Sequence, residues 1–185
     1  MRIIQTALPG CVVIEPAVHG DSRGFFYESW NARTFADAGI DIAFVQTNVS
    51  RSARGVLRGL HYQWPHPQGK LVSVVEGEVY DVAVDIRVGS PTFGHWAAAI
   101  LSAENKRHFL IPEGFAHGFA VLSENATFVY QCTALYDRAS DAGIRWDDAR
   151  IAVDWPISQP ILSDKDQKTP FLDEIAREKL PTYPP

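Results

Sequence analysis

Residues 79–87 read Val79-Tyr80-Asp81-Val82-Ala83-Val84-Asp85-Ile86-Arg87, and apolar and charged side chains alternate along the stretch. The side chains of a β-strand point in turn to its two faces, so this pattern predicts a strand with one apolar and one charged face. The apolar face would carry Tyr80, Val82, Val84 and Ile86. The charged face would carry Asp81, Asp85 and Arg87. We therefore expect a half-buried strand, in a sheet that covers a core on one side.

Further short segments with the composition of strands follow one another along the chain. They lie at residues 25–30, 43–50, 56–62, 70–76, 97–101, 106–111, 119–122 and 126–136. The stretches between them contain proline and glycine, as at 65–69, 89–91 and 112–114, and these residue types favour turns. Many short strands at this spacing predict an all-β sandwich or barrel.

Helical patterns occur in only two places. Asn31 is a suitable N-cap for residues 32–38, and Gly39 is placed to end that helix. Residues 172–179 carry acidic side chains early and basic side chains late, which predicts a C-terminal helix. We expect the last five residues, 181–185, to form a loose tail.

Length and composition predict one globular domain, residues 1–185. The chain has 185 residues, 46% of them apolar and 21% charged, which is typical of a folded protein and not of a disordered one. The longest wholly apolar run, 96–101, is far shorter than the roughly 20 residues of a membrane-spanning helix, and no secretory signal is visible. We therefore predict no membrane partner. Cys11 and Cys132 are interpreted as buried free thiols in a reducing cytoplasm.

The charge distribution limits the kinds of partner. The formal net charge of −5 argues against a nucleic-acid-binding protein. Residues 1–75 nevertheless contain seven Arg and Lys against five acidic residues, so the first half of the chain has room for a small anionic ligand.

Four ionisable residues interrupt otherwise apolar strand segments: Arg58, His61, Lys70 and His117. Burying ionisable groups in a filled core costs free energy, so these residues are candidates for a functional site. Arg58 and His61 are three residues apart, and strict alternation would place them on opposite faces. A β-bulge at Gly59 would bring both to the same side, and bulges are frequent beside active sites.

Each candidate also has an ordinary structural interpretation. His61 and His117 could be core histidines whose ring nitrogens bond to the backbone, and Lys70 could extend into solvent. Tyr130 could be a packed aromatic residue, and Asp166 a loop carboxylate. The residues taken one at a time leave both interpretations open.

The pattern for a metal site is incomplete. Metal-dependent cupin barrels carry a His-x-His pair with a nearby Glu and a further His, whereas this chain reads His61-Tyr62-Gln63 and offers only His117 later. Lys70 would also place a positive charge where the cation should lie. We therefore predict no metal ion.

The glycine-rich motifs for nucleotide phosphates and the Gly-x-Ser-x-Gly motif are missing from the sequence, so we predict no cofactor.

Taken in order, a series of motifs resembles one family, the dTDP-4-dehydrorhamnose 3,5-epimerases, which are metal-free members of the cupin superfamily. The motifs lie at residues 21–28, 46–48, 55–63, 68–72, 81–87, 90–94, 111–119, 130 and 163–166. Two departures are local: Ser73 stands where the family often has Arg, and residues 107–110 replace a commoner Gln-Leu-Trp. The resemblance implies a cupin-type double-stranded β-helix, or jelly roll, with short peripheral helices.

The resemblance also implies an activity and a set of catalytic residues. The expected substrate is dTDP-4-dehydro-6-deoxy-D-glucose, which is inverted at C3 and C5 by removal of a proton next to the C4 ketone and return of one from the opposite face. His61 resembles the base and Asp166 the carboxylate that orients it. Lys70 would stabilise the enolate, and Tyr130 would be the acid. A phenol in that role requires a positive neighbour such as Lys70 or Arg58.

The substrate-binding residues implied by the resemblance are Arg23, Phe26, Glu28, Gln46, Asn48, Arg58, His117, Tyr136 and Lys165, with Arg51 as a further candidate for the nucleotide. An Arg such as Arg23 suits a diphosphate, and an aromatic residue such as Phe26 suits a thymine. Members of this family exchange N-terminal strands between two subunits. A homodimer is therefore implied, with part of each nucleotide site coming from the partner.

Three alternatives remain open on the sequence. The first is an epimerase that acts at C3 or at C5 alone. The second is a metal-dependent cupin isomerase or oxygenase. The third is a non-catalytic module that binds a sugar nucleotide.

Overall fold

The protein, seen in a computed structural model that describes residues 1–183, consists almost entirely of β-structure. The strands in chain order are β1 (Arg2–Gln5), β2 (Val12–Glu15), β3 (His19–Asp21), β4 (Gly24–Phe26), β5 (Gln46–Ala53), β6 (Leu57–Gln63), β7 (Lys70–Glu76), β8 (Glu78–Asp85), β9 (Trp96–Ser102), β10 (His108–Ile111), β11 (Phe115–Val121), β12 (Asn125–Cys132) and β13 (Asp141–Gly143). One α-helix, α1, spans Ala32–Asp37, and three short 3-10 helices span Asp166–Lys168, Leu172–Glu174 and Arg177–Lys179.

The strands form two antiparallel sheets and a separate hairpin. The six-stranded sheet has the order β1-β2-β10-β7-β12-β5, and the five-stranded sheet has the order β13-β6-β11-β8-β9. Strands β3 and β4 pair only with each other. The two sheets pack face to face, which is the double-stranded β-helix of the cupins, and the predicted fold class is confirmed.

The main core fills the space between the two sheets. The six-stranded sheet contributes Val72, Val74, Phe109, Ile111 and Phe128. The five-stranded sheet contributes Val79, Ala83, Leu101, Phe119 and Val121. The rings of Phe119 and Phe128 stack across the gap, with centroids 4.1 Å apart. Burial of one such side chain stabilises the fold by about 2 to 3 kcal/mol, so this contact helps to fix the spacing of the sheets.

The prediction that the strand around residues 79–87 is half buried was wrong, because the five-stranded sheet is covered on both faces. The apolar face of β8 packs under the C-terminal part of the chain, including Ile144, Leu172 and Leu180. The other face points between the sheets, where Asp81 and Asp85 are completely buried. Asp85 is satisfied there by the side chains of Arg87, Ser90 and Thr92.

The first predicted helix is confirmed and the second is not. The side chain of Asn31 accepts hydrogen bonds from the backbone N–H groups of Arg33 and Thr34 and so caps α1. The C-terminal segment forms two separate 3-10 turns, because Ile175 and Ala176 between them have extended backbone. Across residues 1–183, no helix has the length and apolar character that crossing a membrane would require.

The predicted loose tail is also partly wrong. The backbone of Val88 hydrogen-bonds to Pro181 and Tyr183, at 2.7 and 3.0 Å, so this part of the tail lies along the domain. Pro184 and Pro185 lie outside the described residues.

Candidate active site

A β-bulge in β6 brings two of the candidate residues to the same side of the strand. On the neighbouring strand β11, His117 lies opposite His61 and Phe119 lies opposite Arg58. Three residue steps on β6 therefore match two on β11, and the register shifts. The side chains of Arg58 and His61 consequently line the same cavity, as a bulge at Gly59 would require.

The bulge depends on glycine at position 59. The φ angle of Gly59 is +121°, a value that side chains disfavour. A Cβ atom at Gly59 would lie 2.5 Å from Cα of Gly118 and 2.7 Å from the carbonyl oxygen of His117. Only a residue without a side chain allows β6 and β11 to approach this closely.

The site has two connected compartments. An inner chamber of about 180 Å³ and an outer cleft of about 410 Å³ share His61, Lys70 and Tyr130 as lining residues. The rest of the inner chamber is lined by Ser50, Arg58, His117, Phe119 and Phe128. The rest of the outer cleft is lined by Gln46, Asn48, Tyr62, Gln63, Gln68, Tyr136, Asp141 and Lys165.

The four central residues come from opposite walls of the jelly roll. His61 and His117 lie on β6 and β11 of the five-stranded sheet. Lys70 and Tyr130 lie on β7 and β12 of the six-stranded sheet. A ligand between the sheets therefore meets imidazole groups on one side and an ammonium and a phenol on the other.

His61 is paired with a carboxylate from the far end of the chain. Its Nε2 lies 2.5 Å from Oδ1 of Asp166, and the two side chains are 31% and 4% exposed. Burial is the largest single effect and raises the pKa of Asp166, but the bond and charge of His61, together with Ser163 and Lys165, lower this pKa overall. Within residues 1–183 no group hydrogen-bonds Nδ1 of His61, so this nitrogen is free to face a ligand.

A second histidine–aspartate pair lies deeper in the protein. Nε2 of His117 lies 3.1 and 3.0 Å from the two carboxylate oxygens of Asp81, and the side chains are 9% and 0% exposed. Burial lowers the pKa of His117, against the opposing effect of Asp81. The sequence interpretation missed Asp81, because its strand was expected to expose that face.

Lys70 and Tyr130 are partly buried. Burial lowers the pKa of Lys70, while Cys132, Asp81 and Asp141 oppose this shift. Burial raises the pKa of Tyr130, and the positive charge of Arg58 opposes that rise. The positive neighbour that an acidic phenol requires is thus Arg58.

The mouth of the outer cleft is organised by Asp141, which the sequence interpretation did not single out. Oδ2 of Asp141 accepts hydrogen bonds from Nζ of Lys165 at 2.5 Å and from the Tyr136 hydroxyl at 3.0 Å. Gln46 accepts from the backbone N–H of Tyr136 and donates to Oδ1 of Asn48. Four of the predicted binding residues therefore surround one opening.

Three other predicted binding residues lie apart from both compartments. Arg23 pairs with Asp21 and is 87% exposed. Phe26 in the β3–β4 hairpin is 65% exposed, and Glu28 accepts a hydrogen bond from Asn31. The expectation that these residues join the cleft is not met within a single chain, since Arg23 and Phe26 lie in a hairpin that pairs with neither large sheet and Glu28 follows it.

Arg51 is likewise absent from the lining of both compartments, because its guanidinium pairs with Glu76 at 2.9 Å on the outer surface. Within residues 1–183, no group of three or more His, Cys, Asp or Glu side chains is arranged to hold a metal ion.

Known proteins resemble this chain over nearly its whole length. A family model described as dTDP-4-dehydrorhamnose 3,5-epimerase matches residues 5–174. A dTDP-4-dehydrorhamnose 3,5-epimerase from Shigella flexneri is 56% identical over 168 residues, which cover 90% of this chain and 93% of that protein.

Two crystal structures of sugar-nucleotide epimerases have the same fold. A dTDP-6-deoxy-D-glucose-3,5-epimerase from Legionella pneumophila Philadelphia 1, in complex with dTDP-4-keto-L-rhamnose, has a TM-score of 0.97 and 54% identity, over 100% of this chain and 99% of that one. A 3'-monoepimerase from Streptomyces bikiniensis, in complex with dTDP-quinovose, has a TM-score of 0.90 and 37% identity, over 96% of this chain and 91% of that one.

Proposed function

The chain belongs to the dTDP-4-dehydrorhamnose 3,5-epimerase family and is an isomerase, and on this premise we propose that it converts dTDP-4-dehydro-6-deoxy-D-glucose to dTDP-4-dehydro-L-rhamnose with the residues described above. The observation that carries the assignment of roles is the placement of His61 and Tyr130 on opposite sheets. Inversion of a carbon needs one group to remove a proton and another to deliver a proton on the other face. Two facing walls supply that arrangement.

His61 is the base. With Nε2–H donated to Asp166, the lone pair of Nδ1 accepts the proton from the carbon next to the ketone. The imidazole becomes imidazolium, and the buried carboxylate of Asp166 stabilises that charge while holding the ring in one tautomer. The electron pair of the broken C–H bond moves into the enolate at C4.

Lys70 and Arg58 stabilise the enolate oxygen. Both line the chamber that also holds the base, and the partly buried position of Lys70 strengthens its interaction with a developing negative charge. Electrostatic stabilisation of this kind is typically worth about 3 to 4 kcal/mol for each donor.

Tyr130 returns a proton from the other wall. Its hydroxyl protonates the carbon on the face opposite His61, the C–H bond forms with the electron pair of the enolate, and the ketone is restored. The phenolate recovers a proton from solvent, and His61 releases its own before the next cycle. The positive charge of Arg58 favours the transient phenolate.

The outer cleft is proposed to bind the nucleotide end of the substrate. Gln46, Asn48, Tyr136 and Lys165 offer amide, phenol and ammonium groups around its mouth. We assign Arg23, Phe26 and Glu28 to the same nucleotide, reached in a homodimer in which the β3–β4 hairpin of one subunit meets the cleft of the other. The exposed rings of Phe25 and Phe26, 63% and 65% accessible, support a contact with a partner.

Deuterium exchange tests the reaction. The protein is incubated in D₂O with dTDP-4-dehydro-6-deoxy-D-glucose, and incorporation at C3 and C5 is read by NMR. Label at both carbons is expected. Label at C3 alone would favour the single-position activity named for the Streptomyces bikiniensis neighbour. No exchange together with normal dTDP binding would indicate a binding module, and loss of exchange on chelation would indicate a metal-dependent enzyme.

Subunit complementation tests the shared site. Arg23→Glu and His61→Asn each inactivate the enzyme if both residues serve one reaction. In a co-expressed mixed dimer, one of the two sites has neither substitution if the hairpin crosses between subunits, so activity should return. A mixture that stays inactive while light scattering shows dimers would contradict the crossing.

We also propose a cytoplasmic location. Cys11 and Cys132 are both free and buried, which suits a reducing compartment.

A further inference from the structure

Asp81 holds the ring of His117 in a defined orientation. The carboxylate is completely buried on β8, and both of its oxygens lie within 3.1 Å of Nε2 of His117. Burial raises the pKa of Asp81, while the charges of His117 and Lys70 and the bond to His117 oppose that rise. In its ionised form the carboxylate only accepts hydrogen bonds, and Nε2 of His117 then carries the hydrogen. The two strands are paired neighbours, with Phe119 opposite Asp81, so the pair is built into the sheet.

The other nitrogen of the ring, Nδ1, is left for the inner chamber. His117 lines that chamber, and within residues 1–183 no group hydrogen-bonds its Nδ1. Burial lowers the pKa of His117, which keeps the ring neutral. Nδ1 therefore has a lone pair and acts as a hydrogen-bond acceptor.

Hydrogen-bond acceptors are few in the lining of the inner chamber, where the Ser50 hydroxyl is the main other candidate. Arg58 and Lys70 only donate hydrogen bonds, and Tyr130 is needed as a proton donor. Nδ1 of His61 accepts a proton in the reaction and is not available to anchor the substrate. A hydroxyl group of the hexose in this chamber can accept from Arg58 or Lys70, but its own hydrogen needs an acceptor, and His117 is placed to be one.

The position of His117 indicates which hydroxyl group it anchors. His117 lies directly opposite His61 in the sheet, so the acceptor and the base are side by side. Of the two inverted carbons, C3 carries a hydroxyl group and C5 carries a methyl group. An acceptor beside the base therefore distinguishes C3 from C5.

We propose that Asp81 is a positioning residue that orients His117 as the acceptor for the C3 hydroxyl, and thereby promotes proton exchange at C3 more than at C5. This role rests on the proposed function, because it presupposes the 4-ketohexose in the inner chamber. It assigns to a buried carboxylate a part in selecting the carbon that reacts.

The tautomer of His117 is the first test, and it is read in the wild-type protein. ¹⁵N NMR of the histidine-labelled wild-type protein is expected to show a protonated Nε2 and an unprotonated Nδ1 at neutral pH, with the resonance assigned by its loss in His117→Phe. A protonated Nδ1 would overturn the proposal, whether or not the protein is an epimerase.

The second test compares exchange at the two carbons. In Asp81→Asn the amide can either donate to or accept from Nε2, so the tautomer is no longer fixed, and deuterium incorporation at C3 should fall about tenfold more than at C5. His117→Phe should show the same preference for loss at C3. The double variant should lose no more than His117→Phe alone, because both substitutions remove one acceptor.

Asp85→Asn is the matched control, since Asp85 is equally buried on the same face of β8 but bonds to Arg87, Ser90 and Thr92. It should lower thermal stability without changing the ratio of C3 to C5 exchange. Equal losses at both carbons in Asp81→Asn would show a purely structural role and refute the proposal. Absence of exchange in the wild-type protein would instead refute the proposed function.

Discussion

The two histidine–aspartate pairs use the same chemistry in different surroundings. His61 and Asp166 meet at the junction of the inner chamber and the outer cleft, with the imidazole 31% exposed. His117 and Asp81 lie behind them, 9% and 0% exposed. In both pairs Nε2 faces the carboxylate and Nδ1 has no bonding partner among residues 1–183.

Access to solvent is what separates their roles. A base must release its proton after each cycle, and the exposed edge of His61 provides that route, whereas His117 is closed off. Burial also disfavours a charged ring, so the deeper histidine is suited to hold a hydrogen bond and the outer one to take up a proton. Four predictions test this contrast, from the largest expected effect to the smallest.

Replacing the outer histidine should have the largest effect. His61→Asn should lower deuterium exchange at both C3 and C5 by about 10⁴-fold, because a general base contributes up to that factor. The binding of dTDP, measured by calorimetry, should change little. His66→Asn is the control, since His66 is an exposed histidine paired with Asp137 outside the lining of both compartments. Substantial exchange in His61→Asn would assign the base elsewhere.

Removing the charge of Asp166, the partner of His61, should lower activity by a somewhat smaller factor. Asp166→Asn should reduce kcat by about 10³-fold, because the amide no longer fixes the tautomer or stabilises the imidazolium. Asp164→Asn, a change of an exposed acid two residues earlier, should leave kcat unchanged. Comparable kcat values for the two variants would indicate that the bond between His61 and Asp166 is only structural.

The relative position of the two pairs depends on Gly59. Gly59→Ala should lower the free energy of unfolding by roughly 4 kcal/mol, because the added Cβ meets Gly118 at 2.5 Å and φ is strained. Gly89 also has a positive φ, +90°, but an added Cβ there would meet nothing within 4 Å. Gly89→Ala should therefore lower the free energy of unfolding by only about 1 kcal/mol. Equal losses in urea denaturation would contradict a tight contact between β6 and β11.

A third histidine, His108, is also buried, and it sharpens the comparison because no carboxylate contacts its ring within residues 1–183. His108 bonds to the hydroxyl of Ser29, and burial lowers its pKa from 6.5 to about 4. The unfolded chain binds a proton below pH 6.5 and the folded protein does not, so stability falls as the pH drops from 6.5 towards 4. The loss from this group is at most about 3 kcal/mol.

Denaturation at several pH values checks this expectation. His108→Leu should remove that part of the acid sensitivity, while His95→Leu, a change of an exposed histidine, should retain it. An unchanged pH profile in His108→Leu would place the acid-sensitive group elsewhere.

Much of the fold could be predicted from local patterns. Strand β7 begins and ends where the sequence predicts, and Asn31 caps α1 as expected. Strands β1, β2, β3 and β13 were missed, because strands of three or four residues are too short to show an alternating pattern. The extent of one domain over 1–185 stays a prediction.

The candidate site was predictable only in part. Arg58, His61, Lys70, His117 and Tyr130 do meet in one chamber. Asp81 was missed, because a carboxylate in an alternating strand has the pattern of a solvent-facing residue. Asp141 was missed because its role is to accept hydrogen bonds from Lys165 and Tyr136. These residues lie 24 and 5 positions away along the chain, and no sequence pattern links such positions.

The sequence by itself determined the strand-rich architecture and the types of chemical group available, since alternation and turn preference act over a few residues. The tertiary structure decided three further features. It covered the second face of β8, shifted the register at Gly59, and brought Asp166 to a histidine 105 positions earlier in the chain. Each of these depends on contacts between segments that are distant in sequence, and such contacts exist only once both sheets have assembled.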